Sequence, residues 1–173
     1  MKGIREIRAA AALAAVLVAA LAIGPARADD VKKVEKEMRD LYAQQAASLE
    51  KRDVAGFMKL NTPDFQLRLL SGDKVDRERL EEGMTTYFTS GQLVKQIKVR
   101  YDVTSVKREG NEAQVLVEQM DKRVQIRKDG KQHTVEAHVI HRDTWVPTSE
   151  GWKRRLTEEV KQTKFLVDGK PSH

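Results

Sequence analysis

The chain has 173 residues, of which 32 are Lys or Arg and 26 are Asp or Glu, giving a formal net charge of +6. The complete lack of Cys excludes disulfides, thiol catalysis and thiolate metal sites. Half of the net positive charge lies in the first 28 residues, so the basic balance is weak evidence for nucleic acid, and no such partner is expected.

The first 28 residues predict a secretory signal peptide. Basic residues precede the apolar run of residues 9–23, and the small-x-small triplet ARA ends at Ala28. The run is about 15 residues long, whereas a spanning helix needs roughly 20. We therefore expect cleavage after Ala28 and a single periplasmic or secreted domain, residues 29–173, without a membrane span. An uncleaved anchor is the alternative.

The segment after the signal predicts two helices and a strand. Apolar residues at steps of three and four, from Val31 to Leu49, form the stripe of an amphipathic helix. Asp53 is expected to cap a short second helix, residues 54–60, and Pro63 follows its end. Alternation in DFQLRLL then predicts a half-buried strand.

A third helix is predicted over residues 73–88. Asp73 is its expected N-cap, with Asp76 three residues later. Gly83 lies inside this helix, where it costs about 1 kcal/mol relative to Ala, so a close approach of the core is expected there. The residues expected to face inward are Val75, Leu80, Met84 and Tyr87 or Phe88.

From residue 93 onward the apolar period is two, which predicts four strands in a meander with turns at REGN, KDGK and PTSEG. In the second of these strands, Ala113, Val115 and Val117 share one phase, while Met120 and later apolar residues take the opposite phase. Such a change predicts a β-bulge, and bulges bend sheets. Helices beside a bent antiparallel sheet indicate an α+β domain.

Two segments resemble the nuclear transport factor 2-like superfamily, especially its SnoaL-like and ketosteroid-isomerase-like members. LEKRDVAGFMKLNTPDFQL resembles the family's first-helix exit, Asp-capped second helix and entry to the first strand, and HRDTWVPTSEGWKRRL resembles its penultimate hairpin. The resemblance covers residues 31–167. It implies a cystatin-like α+β roll: a cone-shaped, curved antiparallel sheet around the long N-terminal helix, with a pocket at the open end. It also implies a homodimer through the outer face of the sheet.

The same resemblance argues against steroid isomerase activity. The isomerases' catalytic Tyr position falls on Gln45 and their general base falls on Leu69, and neither side chain can perform that proton chemistry. The acid of their hydrogen-bonding pair falls on Asp143. Tyr42, one turn before Gln45 on the same helix face, is a partial substitute.

The stretch VEAHVIHRDTWV carries the candidate catalytic residues. His141 and Asp143 are two residues apart on one strand face, at roughly 6 to 7 Å, close enough to share a ligand or a water. In a functional interpretation, the apolar neighbours Val139 and Trp145 raise the pKa of Asp143, which works with the imidazole. In a structural interpretation, both are satisfied polar groups of the sheet.

The candidate ligand-binding residues are those expected to face the concavity: Tyr42, Tyr87, Tyr101, Asp143, Trp145 and Glu158. Trp145 serves either as a pocket wall or as core. The four His residues lack metal-ligand spacing, so neither a metal nor any other cofactor is expected.

Three functions fit these features. The favoured one is an exported domain that binds a small apolar or amphipathic molecule, or a partner protein, without catalysis. The second is an isomerase, cyclase or dehydratase that uses Asp143 as acid or base, assisted by His141, Tyr42 or Glu158. The third is a structural homodimer.

Overall fold

The computed structural model describes residues 28–89, 94–126 and 130–171, so the predicted signal segment lies outside the described residues except for its last position. In chain order the elements are α1 (Ala28–Lys51), α2 (Val54–Lys59), β1 (Asn61–Arg68), β2 (Lys74–Asp76), α3 (Arg77–Thr89), β3 (Val94–Glu109), β4 (Glu112–Ile126), β5 (Gln132–Thr148), β6 (Gly151–Val167) and β7 (Lys170–Pro171). Within the described part of the chain, no helix has both the length and the apolar character needed to cross a bilayer.

The long helix α1 lies against the concave face of the sheet, as its apolar stripe predicts. Val34, Met38, Tyr42 and Gln45 are buried at steps of four, four and three residues. The first three pack into one core cluster with strand residues, among them Val115. Gln45 lies on the same buried face of α1, so this face ends in a polar amide instead of an apolar side chain.

The predicted cap of the second helix is confirmed. Asp53 Oδ1 accepts a hydrogen bond of 2.8 Å from the backbone N–H of Gly56. A side chain at Gly56 would bring its Cβ to 2.2 Å from Asp53 Oδ2, so only glycine allows the carboxylate this close. The cap holds α2 in place, and α2 buries Phe57 and Met58.

The third helix begins later than predicted. Residues 74–76 form β2, and Asp76 rather than Asp73 caps α3, because the N–H of Arg79 donates to Asp76 Oδ1 at 2.9 Å. Asp73 instead accepts a hydrogen bond from the Ser71 hydroxyl in the preceding turn. Gly83 is exposed, with open space where a Cβ would lie, so the close approach expected there is wrong.

The sheet has the strand order β2-β1-β6-β5-β4-β3, with β7 paired to β6. The four long strands β3 to β6 form the predicted antiparallel meander, and β1 joins it as a parallel neighbour of β6. Helices on one side of this curved sheet make the α+β cone that the family resemblance implies.

The bends lie on strands other than the predicted one. β4 pairs with β5 without interruption, so no bulge explains its change of apolar phase. Register shifts occur instead on β3, where Thr104 is an extra residue opposite β4, and on β6 opposite β5. The inward phase of β4 therefore continues as Gln119, Asp121 and Arg123. What resembled a bulge is the point where the concave face passes from core to cavity.

Candidate functional site

A cavity of about 240 Å³ lies between α3 and the concave face of the sheet. This volume is a little below the range of roughly 300–1,000 Å³ that is usual for drug-sized ligands, so the cavity suits a small molecule. All three helices and strands β1 and β3 to β6 contribute to its wall. The apolar part of the wall is Leu49, Phe57, Phe65, Leu67, Leu80, Met84, Phe88, Ile97 and Val99. The polar part is Gln45, Tyr87, Tyr101, Gln119, Asp121, Arg123, His141, Arg154, Thr157 and Glu159.

The structure divides the residues predicted from the sequence into two groups. Tyr87, Tyr101 and His141 line the cavity. Tyr42, Asp143 and Trp145 lie behind the wall, completely enclosed by protein. In the strand segment VEAHVIHRDTWV, the face that carries His141, Asp143 and Trp145 does point inward. Of these three, only His141 reaches the cavity, and the other two belong to the core beneath it.

Glu158 faces away from the cavity, which corrects its assignment as a ligand-binding residue. Its carboxylate pairs with Arg68 at 2.8 Å on the outside of the sheet. Arg155 is an extra residue on β6 relative to β5, so both Arg154 and Thr157 are buried and inward. Strict alternation would have placed Arg154 and Glu158 on one face, and it fails at this bulge.

Tyr42, Asp143 and Trp145, behind the wall, form a closed network with Arg154, which lines the cavity, and each of the four is at most 2% exposed. The Tyr42 hydroxyl donates to Asp143 Oδ2 at 2.6 Å, and Trp145 Nε1 donates to the same hydroxyl at 3.2 Å. Arg154 Nη1 lies 3.4 Å from Asp143 Oδ2. These contacts hold Tyr42 and Asp143 against one another and leave neither facing the cavity.

The pKa of Asp143 is lowered, which is opposite to the expected rise. Burial raises this pKa, but the positive charge of Arg154, the adjacent imidazole of His141 and the hydroxyl of Tyr42 outweigh burial and bring it to about 2. Asp143 is therefore an ionised carboxylate at neutral pH and cannot serve as an acid. Its Oδ1 lies 3.8 Å from His141 Nδ1, too long for a direct hydrogen bond.

Five buried polar atoms of cavity-lining residues have no hydrogen-bond partner within the described part of the chain: Gln45 Oε1, Asp121 Oδ2, Arg123 Nε, His141 Nδ1 and Thr157 Oγ1. A buried polar atom without a partner costs about 1–3 kcal/mol, and native proteins tolerate few of them. Asp121 Oδ2 and Arg123 Nε lie 3.6 Å from each other, and His141 Nδ1 lies 3.8 Å from Asp143 Oδ1, so Gln45 Oε1 and Thr157 Oγ1 are the two best placed to exchange hydrogen bonds with a bound molecule.

Gln119, Asp121 and Arg123 line the cavity although the sequence analysis did not assign them to a site. Burial raises the pKa of Asp121, with the positive charge of Arg123 opposing the rise. Arg123 Nε lies 3.6 Å from Asp121 Oδ2, and its guanidinium lies 5.9 Å from the ring centre of Tyr87. Their positions could have been found from the sequence, because they follow Val117 at steps of two and therefore share its inward face of β4.

Across the described residues, His, Asp and Glu side chains do not gather in a group of three that could hold a metal ion.

A model of the SnoaL-like domain family matches residues 33–157, which is well over half of the chain. The chain belongs to the SnoaL-like domain family. Every cavity-lining residue of this SnoaL-like domain falls within the matched range except Glu159. Among curated proteins, none matches the chain.

Solved structures similar to this SnoaL-like domain share its fold at low sequence identity. A nuclear transport factor 2-like superfamily protein from Salmonella enterica is 17% identical, with a TM-score of 0.62 over 77% of this chain and 94% of that one. A hexachlorocyclohexane dehydrochlorinase is 9% identical, with a TM-score of 0.61 over 80% and 92%. A domain of cystatin-like fold from Nostoc punctiforme is 13% identical, with a TM-score of 0.56 over 75% and 78%. The predicted superfamily and cystatin-like fold are thus confirmed.

Proposed function

We propose that this domain binds a small, mainly apolar molecule in the cavity beneath α3. The carrying observation is the set of buried polar atoms without hydrogen-bond partners in residues that line the cavity beside its apolar residues, because a ligand with one or two hydrogen-bonding groups would satisfy some of them. The SnoaL-like fold supports the proposal, since it serves both for ligand binding and for enzymes such as isomerases and dehydratases. The export signal predicted for residues 1–28 places the binding outside the cytoplasm in this proposal.

A neutral aromatic probe tests the binding function. We expect 2-naphthalenemethanol to bind the purified protein with one site per chain in isothermal titration calorimetry. Met84→Trp adds a large ring to the cavity wall and should weaken binding at least tenfold. Gly83→Ala, on the exposed side of the same helix, is the matched control and should leave binding unchanged. Absence of binding, or equal binding by all three proteins, would count against the cavity as the site.

A second candidate function is proton transfer within the same cavity, and one observation favours it. The His141 imidazole lines the cavity, while the ionised Asp143 lies behind it at 3.8 Å from Nδ1. An imidazole beside a carboxylate is a common acid or base in elimination and isomerisation. The geometry therefore assigns the proton transfer to His141, with the Asp143 charge behind it rather than in the cavity. The structural likeness to a dehydrochlorinase supports an elimination.

Native mass spectrometry of protein purified from its own host tests this second function. An eliminating enzyme should retain two molecules that differ by the mass of water or of a hydrogen halide. His141→Gln should retain the heavier one alone, because it lacks a group that can take up the proton. His138→Gln, on the opposite face of β5 near Glu118, is the control and should retain both. A single retained molecule, the same in all three proteins, would leave binding as the function.

Pairing of two copies through the outer face of the sheet stays a prediction. Ile140 and Val146 are apolar residues among the polar ones of that face and so hint at such a contact, but both are half-buried by their own neighbours. The same part of the sheet carries the carboxylate of Glu136 between Lys122 and Lys164, at 3.0 and 2.8 Å. Charged rows of this kind favour contact with water, so the cavity has the stronger support.

A further inference from the structure

Arg154 is a buried guanidinium that lines the cavity at its inner end. It is 2% exposed, and the rings of Phe57, Phe65 and Trp145 surround it at 5.4, 5.2 and 5.8 Å from their centres. Its Nε donates to Asn61 Oδ1 at 3.1 Å, which fixes the plane of the group. A cation held this rigidly by aromatic rings is organised before any ligand arrives.

Asp143 offsets the positive charge of Arg154 but leaves most of its N–H donors unused. Asp143 is the one acidic partner that the described residues provide, and its 3.4 Å contact exceeds the roughly 2.7–2.9 Å of a good charged hydrogen bond. The short bond to Asp143 Oδ2 comes from Tyr42, at 2.6 Å. A guanidinium has five N–H donors, and these contacts engage two of them, so donors remain for a ligand.

Other donors lie on the same wall. The Tyr101 hydroxyl accepts a 2.8 Å hydrogen bond from Gln45 Nε2, so its own proton is available to another group. Burial raises the pKa of Tyr101, which keeps that proton in place. Thr157 Oγ1 is buried on the wall and can also donate. An acceptor with several lone pairs, such as a carboxylate, matches this set.

The acidic groups of the wall lie away from Arg154. Asp121 is opposite Ala137, eight residues along β5 from Trp145, which is the partner of Arg154. Arg123 offsets its charge at 3.6 Å. Glu159 lies five residues along β6 and accepts the backbone N–H of Leu70 at 3.1 Å. Neither of these two carboxylates therefore opposes an anion at Arg154, and the charge of Asp143, which lies behind the wall, is offset by Arg154 itself.

We infer that the occupant of the cavity is a small carboxylate with an apolar ring or chain, whose charged group contacts Arg154 while its apolar part packs against Phe57, Phe65 and Met84. This inference rests on the proposed binding function and names the ligand class. It assigns Arg154 the role of anchor.

Three probes of the same shape test the inference by calorimetry: 2-naphthoate, 2-naphthamide and 2-naphthalenemethanol. The wild-type protein should bind 2-naphthoate at least tenfold more tightly than the amide or the alcohol. The double variant Arg154→Met with Asp143→Asn removes both buried charges together and should bind the three probes within threefold of each other. Arg123→Met, which removes the other cation of the wall, should keep the preference for 2-naphthoate.

The outcomes separate this inference from the binding function. If the amide or the alcohol binds as tightly as 2-naphthoate, the carboxylate inference fails and the binding function stands. If no probe binds, the binding function itself fails. A preference that survives the double variant, or that only Arg123→Met removes, overturns the role of Arg154. Should the double variant not fold, Arg154→Lys is the substitute, because it keeps the positive charge beside Asp143 but loses the planar pair of N–H donors that binds a carboxylate. An unchanged preference for 2-naphthoate in Arg154→Lys would overturn the role of the Arg154 guanidinium as anchor.

Discussion

Replacing Asp143 by Asn is expected to lower the free energy of unfolding by about 3–5 kcal/mol, because it leaves the Arg154 guanidinium buried without a counter-charge. The carboxylate is fully enclosed, and it also accepts the 2.6 Å hydrogen bond of Tyr42. Urea denaturation at neutral pH, followed by circular dichroism, measures the change. A loss of this size would identify the carboxylate as a structural element that holds the wall of the cavity.

Two further variants make the Asp143 experiment specific. Asp102→Asn removes a carboxylate that pairs with Arg100 on the surface, and it should cost less than about 1 kcal/mol. Adding Arg154→Met to Asp143→Asn removes the stranded charge, and the double variant should recover most of the lost stability. If Asp143→Asn were neutral or stabilising, Arg154 would be compensated by some other group, and the closed network would not support the cavity as described.

Local signals account for what the sequence predicts correctly. The steps of three and four that define α1, the carboxylate of Asp53 that caps α2 and the alternation that turns His141 inward all act within one element. Such patterns are readable because helix and strand have fixed periods and because a cap lies next to the helix that it caps. The fold class and its resemblance to known domains follow from the order of these elements.

Long-range contacts account for what the sequence does not predict. The low pKa of Asp143 depends on Arg154 and on Tyr42, which is 101 residues away in the chain. The inward side of β6 depends on a register shift opposite β5, and no local pattern marks it, so Glu158 was assigned to the wrong face. Apolar alternation does not identify Asp121, because a strand whose concave face carries polar residues no longer alternates between apolar and polar positions.

The residues of the cavity wall can contact a ligand, whereas the core residues beneath them hold the wall in position. Asp143 belongs to the core, so it supports the site and does not form part of it. The cavity needs hydrogen-bonding groups that are free to meet a ligand, such as the buried polar atoms of Gln45 and Thr157 that lack hydrogen bonds. Those groups keep their positions only if the residues behind them are fixed. The bonds from Tyr42 to Asp143 and from Trp145 to Tyr42 provide that fixed layer.

Acid should weaken this layer, because the pKa of Asp143 is lower in the folded protein than in the unfolded chain. Its ordinary value is 3.8 and its folded value is about 2. A carboxylate with a lowered pKa stabilises the fold above its unfolded pKa, and this contribution is lost as the pH falls from 3.8 towards 2. At about 1.4 kcal/mol per unit, the loss is about 2 kcal/mol.

The difference in unfolding free energy between the wild-type protein and Asp143→Asn isolates this effect, because the other titrating groups cancel. We expect that difference to shrink by about 2 kcal/mol between pH 5 and pH 2 in urea denaturation. Lys164 and Lys122 also lower the pKa of Glu136, but this carboxylate lies on the surface, where water and salt screen the charges, so the Glu136→Gln protein should show a smaller shrinkage than Asp143→Asn. A difference that stays constant with pH would mean that Asp143 titrates alike in both states, so that Arg154 and Tyr42 do not hold it ionised.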